Sequence, residues 1–544
     1  MKKLFLILVV LSLVVTAASA GEWPAGDAAV MSVLIPEQSL VSDFDNNAYT
    51  EWIERSCNVD LQFQLIPEAD AGDRIALMIS GGEKLPDVID YTMSPATERM
   101  YYNASAIMDL SGFFADGLAE NCIAADHAYP EYRIIQSMTN ADGTILAVPK
   151  LRIMYSDEVK YKMWVNEDWL NALGLEIPTT TNDFYAMLKT FKEQDANGNG
   201  DPNDEIPFIT SNGFGGTATK YLFNAFVFEG DGDMFLLDDD GNVTVSYIQD
   251  GWFEALDYCR MLVAEGLLAP ESFEYTNEDL TAVACSGDVV GVMTNASCDF
   301  MGPETDASRL RFIPINPLTG PEGVRYASYD ASAAVGCWHV TSYAEDPELC
   351  FRVGDFQFCE EGFLRGRYGV DVQNRMSKED YLAANPGVTL AARYASMGCE
   401  GRFVFYNDTW NEPDHVTWHE YIPYFSGAVE AESMIVSDDG SGHIVDWDSS
   451  AAVRRDMATG RYQLLKPGMD VYVPELTYNE EETDILSGIA DELRSYIDRQ
   501  RIAYILGQEN DISSREEFID ILRSCYGLDT LLEIANTAYA RQYR

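Results

Sequence analysis

Basic residues are scarce in this chain. Its 544 residues include 36 Lys+Arg against 89 Asp+Glu, for a formal net charge of −53. A polyanion gains affinity by releasing counterions to a basic surface, and no Lys/Arg run here offers one, so nucleic acid is excluded as a partner. Docking on an anionic membrane face is disfavoured for the same reason. Long apolar runs are missing too: beyond the N-terminus nothing approaches the roughly 20 residues of a spanning helix. There is no P-loop, no HExxH pair, no GxSxG elbow and no GxGxxG after a strand. The five histidines are scattered, and His415 and His419, the pair at i, i+4, sit between Pro413 and Pro423, which argue against a regular helix. Ten cysteines show neither a CxxC pair nor a disulfide framework, so mostly free structural thiols with at most one or two bridges are expected.

What is present is a folded, exported protein. Hydrophobic residues make up 47% and aromatics 12%, far from the composition of an acidic disordered tail. Lys2 and Lys3, the apolar run over 4–15 and the small-x-small triplet Ala18-Ser19-Ala20 read as a secretory signal peptide of residues 1–20, cleaved after Ala20. An N-terminal membrane anchor is the alternative. No cysteine stands in this region to carry a lipid, so the mature chain is expected to be secreted, extracellular or periplasmic, without a lipobox.

Along the chain, strand and helix patterns alternate. Residues 30–35, 61–65 and 85–91 read as strands, and 47–55 and 73–80 as helices, the second stopped by Gly81-Gly82. Residues 182–194 carry Phe184, Met187, Leu188 and Phe191 at helical period behind a Thr179–Thr181 start, and 252–265 form a similar helix stopped at Gly266. Residues 288–294 read as a strand. Ile485, Ile489, Leu493 and Ile497 predict one long amphipathic helix, with a last one near 516–523. With no internal repeat, this rhythm implies two α/β lobes with the chain crossing between them more than once.

One local motif points to a metal. Asp195, Asn197, Asn199, Asp201, Asp204 and Glu205 place oxygen side chains on alternate residues of a loop whose Gly200 permits a sharp turn. Calcium takes six to eight oxygens, so the set suits a structural calcium ion. Position twelve is Ile206, not the acid of a regular EF-hand, so Asp204 and Glu205 would close the shell; an acidic loop without an ion is the other reading. Asp238-Asp239-Asp240-Gly241-Asn242 is better explained as a hairpin turn than as a second site. Among the nine tryptophans, Trp52, Trp169 and Trp252 fall at apolar-periodic helix positions and read as core. Trp338 and Trp410 stand beside small and polar residues in expected loops, where an aromatic face suits the apolar face of a sugar ring; a packed structural role is the alternative. The many carboxylates include no specific glycosidase pair.

Several segments together resemble a known family. Trp164-Val-Asn-Glu-Asp168-Trp169-Leu170-Asn-Ala-Leu-Gly174, Pro178-Thr-Thr, the loop over 195–207, Glu265-Gly266-Leu267, Pro317-Leu-Thr-Gly320-Pro321-Glu-Gly323, Asp346-Pro347-Glu348 and Gly527-Leu-Asp-Thr-Leu-Leu are similar to the extracellular solute-binding proteins, family 1, of bacterial ABC importers. The resemblance is to the large oligosaccharide-binding type and spans nearly the whole chain. It implies an α/β class and a type II periplasmic-binding-protein fold, two lobes joined by hinge crossings over a ligand cleft. The first lobe is expected at 21–150 and 325–395, the second at 151–324 and 396–544. By the same resemblance Tyr91, Arg152, Tyr155 and Asn295 face the ligand together with Trp338 and Trp410, and the 195–205 loop holds calcium. The expected function is capture of an oligosaccharide, without catalysis, by a monomer that presents it to the permease subunits of an importer. A secreted glycosidase or lyase and a binding protein serving a sensor kinase are the alternatives.

Overall fold

The computed structural model describes residues 26–38, 41–201, 203–230, 232, 234–297, 310–368, 375–405, 423–427, 429, 431–437 and 451–544. The segment read as a signal peptide, Trp410 and the His415/His419 pair lie outside the described residues.

The strands that build the molecule are β1 (Ala29–Pro36), β2 (Val59–Ile66), β3 (Val88–Asp90), β4 (Val148–Lys150), β5 (Met163–Asn166), β6 (Ile206–Ile209), β7 (Phe235–Leu237), β8 (Val243–Val245), β9 (Val290–Thr294), β10 (Phe312–Ile315) and β11 (Val335–Val340). One sheet has the order β2-β1-β3-β11-β4 and another the order β10-β5-β9-β6. In the first, β1 runs parallel to β2 and β3, while β11 is antiparallel to both β3 and β4. In the second, β6 and β9 are parallel and β5 is antiparallel to β9 and β10. β7 and β8 form the expected hairpin across the acidic turn.

Local chemistry explains most helix ends. Asn47 accepts from the Tyr49 N–H and caps Ala48–Cys57, which stops at a left-handed Asn58. Thr180 and Asp183 form a reciprocal capping box at the start of Thr181–Glu193. The single long helix expected from Ile485 to Ile497 is instead two, Glu480–Ser487 and Ala490–Ile505. The helix breaks at Gly488 and Ile489 although the apolar spacing runs on, because glycine weakens a helix interior. Arg515–Tyr526 ends at Gly527, whose φ of 69° reverses the chain into a further helix, Leu528–Tyr543, that the periodicity reading did not assign.

Each sheet has its own core. Met31, Val33 and Ile35 pack with Trp338, Val340 and Phe351 in the first; Trp169, Phe184, Phe208, Trp252 and Phe518 pack in the second. The chain crosses from β4 to β5 and returns from β10 to β11. It passes across once more between Val429, in the first core, and the helix Ala451–Gln463, whose Tyr462 lies in the second. The expectation that everything from residue 396 belongs to the second lobe is therefore corrected: Tyr424, Phe425 and Val429 pack in the first core, and Leu151 N–H donates to the Tyr424 carbonyl (2.8 Å).

Glu229 clips the C-terminal helices to the second core. Fully buried, it accepts from Arg501 Nη1 (2.9 Å), Trp252 Nε1 (3.1 Å) and Ser246 Oγ (3.3 Å), with Lys220 Nζ at 3.3 Å. The nine cysteines among the described residues are free, and most are buried as small apolar groups.

Candidate ligand-binding cleft

Strand direction locates the cleft. Pro36, Ile66, Asp90 and Lys150, the ends of β1 to β4, share one end of the first sheet with Val335, where β11 begins. Ile209, Thr294 and Ile315 share one end of the second sheet with Met163, where β5 begins. Both crossings run between these two ends. Loops that follow strands in α/β layers line a crevice there.

On the first side, Tyr91 and Met93 N–H groups donate to the Cys337 and Gly336 carbonyls (2.9 and 3.2 Å), so the chain beyond β3 stays stitched to β11 and holds Tyr91 half-buried at the rim. Gly72 packs beside the Tyr91 hydroxyl, 3.4 Å from where a Cβ would stand. Arg152 is half-buried between two pinned neighbours: Leu151 pairs with Phe425, and Ile153 N–H donates to Ser426 Oγ (2.8 Å). Tyr155 opens the short helix Tyr155–Glu158 and meets Tyr394 edge-on, 5.6 Å between centroids. Burial, then the nearby Glu158 charge, pushes its phenol pKa up, so it stays a neutral hydroxyl.

On the second side, Asn295 follows β9. Its N–H donates to the Lys162 carbonyl (3.0 Å), its own carbonyl accepts from Trp164 Nε1 (2.8 Å), and its Oδ1 accepts from Ser297 N–H (3.3 Å). The structure thus sets Tyr91 and Arg152 at one sheet end, Asn295 at the other, and Tyr155 on the crossing between them.

Trp338 is a correction. It lies inside β11, fully buried, with Nε1 donating to the Cys350 carbonyl (2.9 Å) and the helix Pro347–Gln357 passing so near that a Cβ on Gly354 would sit 2.5 Å from its Cδ1. It is a core residue, not a ligand platform. Trp410 lies outside the described residues.

The sequence reading missed Phe214. It stands on the turn Asn212-Gly213-Phe214-Gly215-Gly216 and is 57% exposed. Gly215, at φ +70°, lets that turn lie against Ala296, where any Cβ would come within 2.5 Å of the Ala296 nitrogen. The Thr294 hydroxyl also donates to the Gly216 carbonyl. Phe214 is therefore held beside Asn295, and Lys160 Nζ lies 5.5 Å from the rings of both Phe214 and Tyr161. Three glycines around one aromatic, just after a strand, were the available signal. Below the opposite rim, Asp90 is fully buried, accepts from Cys337 Sγ (3.2 Å) and leaves Oδ2 without a partner; burial pushes its pKa well above the usual carboxylate range. At the ends of β1 and β2 a cavity of about 690 Å³ is lined by Glu37, Gln38, Ser42, Asp43, Phe63 and Glu68. Aromatic faces, carboxylates, an amide and a guanidinium at the facing ends of the two sheets are groups that suit a polyhydroxylated ligand.

In the acidic loop, the Asp195 carboxylate accepts from the Asn199 and Gly200 N–H groups (3.0 and 2.9 Å), and the Asn197 and Asn199 amides donate to Asp204 (3.1 and 2.6 Å). Asn199 Oδ1 accepts from Asp201 N–H (2.7 Å), and Glu205 Oε1 accepts from Ala196 N–H (2.9 Å). Among the described residues no group of three or more His, Cys, Asp and Glu is set to hold a metal. The loop still has the donor set for a hard cation, and Glu205 Oε2 is buried there without a partner.

Known proteins resemble this chain in sequence and in fold. Residues 37–296 match the family model of bacterial extracellular solute-binding proteins. The fructooligosaccharide ABC transporter substrate-binding protein FusA of Streptococcus pneumoniae serotype 4 is 32% identical over 417 residues, 72% of this chain and 74% of FusA. The solved structure of FusA with kestose superposes with a TM-score of 0.63 at 22% identity, over 94% of this chain and 99% of that one. A FusA EF-hand mutant in complex with fructo-nystose gives 0.60 at 22%, over 94% and 99%. An extracellular solute-binding protein from Bifidobacterium longum subsp. infantis gives 0.69 at 17%, over 96% and 100%. The shared fold is the type II periplasmic-binding-protein fold, two α/β lobes with hinge crossings.

Proposed function

The chain belongs to the bacterial extracellular solute-binding proteins, and from that premise we propose that its cleft captures an oligosaccharide of the fructooligosaccharide class, without catalysis, for an ABC importer. The observation that carries this is the 32% identity to FusA over 72% of the chain. In this reading Tyr91 and Phe214 stack on sugar faces from opposite lobes, while Arg152 and Asn295 bond hydroxyls. Only a ligand with higher affinity for the closed arrangement shifts the lobes toward closure, so contacts made from both sides at once supply the driving force. The closed monomer is then the form the permease subunits read. The protein acts outside the cytoplasm, exported by the segment over 1–20.

Titration with kestose and nystose, beside neutral and acidic oligosaccharides of other linkages, tests this. At ligand 100-fold above Kd the apparent stability should rise by about 2.7 kcal/mol, and the sugar should be recovered intact. Arg152→Ala and Phe214→Ala should each weaken binding about tenfold. Cleavage of the sugar would move the reading to an enzyme, and silence toward every saccharide would remove the carbohydrate assignment.

We also propose that the acidic loop holds a structural calcium ion through Asp195, Asn197, Asn199, Asp201, Asp204 and Glu205. The ion would neutralise the carboxylates and pin the loop between Thr181–Glu193 and β6. The melting temperature should rise with calcium and fall with chelator, and Glu205→Gln should blunt that difference; a melting curve indifferent to both additions would refute the site.

A further inference from the structure

Glu158 lies where the passages between the lobes converge, at the end of the short helix Tyr155–Glu158, and is 3% exposed. Four donors from three parts of the chain meet it. On the β10-to-β11 crossing, Asp330 N–H donates to its carbonyl (3.0 Å) and Ser332 N–H to Oε1 (3.0 Å). From the first lobe, Tyr132 Oη donates to Oε1 (3.1 Å); from the helix Ala451–Gln463, Gln463 Nε2 donates to Oε2 (2.9 Å). Two further bonds reinforce the knot: Met154 N–H to Ser332 Oγ (3.2 Å) and Gln463 Nε2 to the Tyr155 carbonyl (3.1 Å). The residue after Tyr132 also spans the lobes. Arg133 places its guanidinium 4.5 Å from the ring of Tyr543, on the last helix, and holds φ at +46°, a backbone that non-glycine residues rarely adopt.

We propose that Glu158 is a positioning residue that sets the relative arrangement of the two lobes, and through it the affinity of the cleft, without touching the ligand. The proposal rests on the reading of the cleft as the ligand site. Each carboxyl oxygen of Glu158 is met by donors from other segments, giving directed ties in a water-poor place. Lobe closure turns a few residues on the crossings. A group that sits on one crossing and is bonded to the other, to the first lobe and to the helix Ala451–Gln463 of the second favours one set of those rotations over the others. Such a difference between arrangements enters the observed affinity even though no ligand contact changes.

The test uses the full mature chain. Glu158→Gln keeps the size but turns an NH2 toward a donor, so small-angle scattering of the ligand-free protein should show an altered distance distribution with an unchanged far-UV spectrum. Its Kd for kestose should shift at least fivefold. Tyr132→Phe, which removes one donor, should move both readouts in the same direction by less. Adding Gln463→Glu to Glu158→Gln reverses that donor–acceptor pair and should bring the distribution back toward the parent. If Glu158→Gln does not fold, Tyr132→Phe decides. A parent-like distribution and Kd in these variants, with at most a lower melting temperature, would make Glu158 merely structural and overturn the proposal. If the parent binds no kestose, the scattering result still decides the hinge, and only the ligand reading fails.

Discussion

Replacing Glu229 by alanine is expected to destabilise the second lobe by about 3–5 kcal/mol, because it takes the buried counter-charge from Arg501, which keeps Asp498, and from Lys220, which keeps the Gly230 carbonyl. Arg501 is 8% exposed and its guanidinium bonds Glu229 at 2.9 Å; Lys220 is 10% exposed and lies at 3.3 Å. The change also removes the acceptor for the Trp252 indole N–H, a group that would then be buried unpaired. A fall in the urea midpoint of the second-lobe transition, with the helix Ala490–Ile505 losing amide protection first, is the expected outcome. A loss below about 1 kcal/mol would mean that the cost of desolvating these charges nearly cancels their attraction, and that apolar packing alone holds the C-terminal helices.

The second large effect concerns Trp338. Trp338→Ala should cost about 3–5 kcal/mol, the range for emptying a buried aromatic site, and removes the indole N–H bond to the Cys350 carbonyl. Below its melting temperature the variant should bind saccharide as the parent does, since the indole lies within the first core. Urea unfolding and ligand titration on the same sample separate the two. A normal stability with lost binding would return Trp338 to the cleft.

Trp338 also shows where sequence reasoning stopped. Helix ends were legible because their signals are local: Asn47, the Thr180/Asp183 box, and the glycines at 81, 82 and 266 act on backbone within a few residues. The environment of Gly336-Cys337-Trp338 is instead set by β3, which pairs Trp338 with Asp90, and by Gly354 on the helix that follows. With a glycine and small residues around it, the segment looked like a loop although it is a strand inside a sheet. The break at Gly488 was hidden for the opposite reason, since the apolar spacing continues across it. Tyr91 and Asn295 were accessible as residues that follow strands. Phe214 required knowing that its glycine turn lies against Ala296, a contact made between segments about 80 positions apart. Glu158 carries no motif at all, and its partners Tyr132, Ser332 and Gln463 are brought together only by the fold.

The strand order of the first sheet also governs how the chain is made. β11 is inserted between β3 and β4, bringing His339 against Ile89 from 250 positions away. Until Val340 has been synthesised, the β2-β1-β3 ribbon and β4 remain separate, each with a bare backbone edge able to template pairing with another chain. Joining them closes a very long loop, which slows folding more than it lowers final stability. The first 150 residues therefore lack the strand that joins their sheet, which can be completed only once more than half of the chain exists.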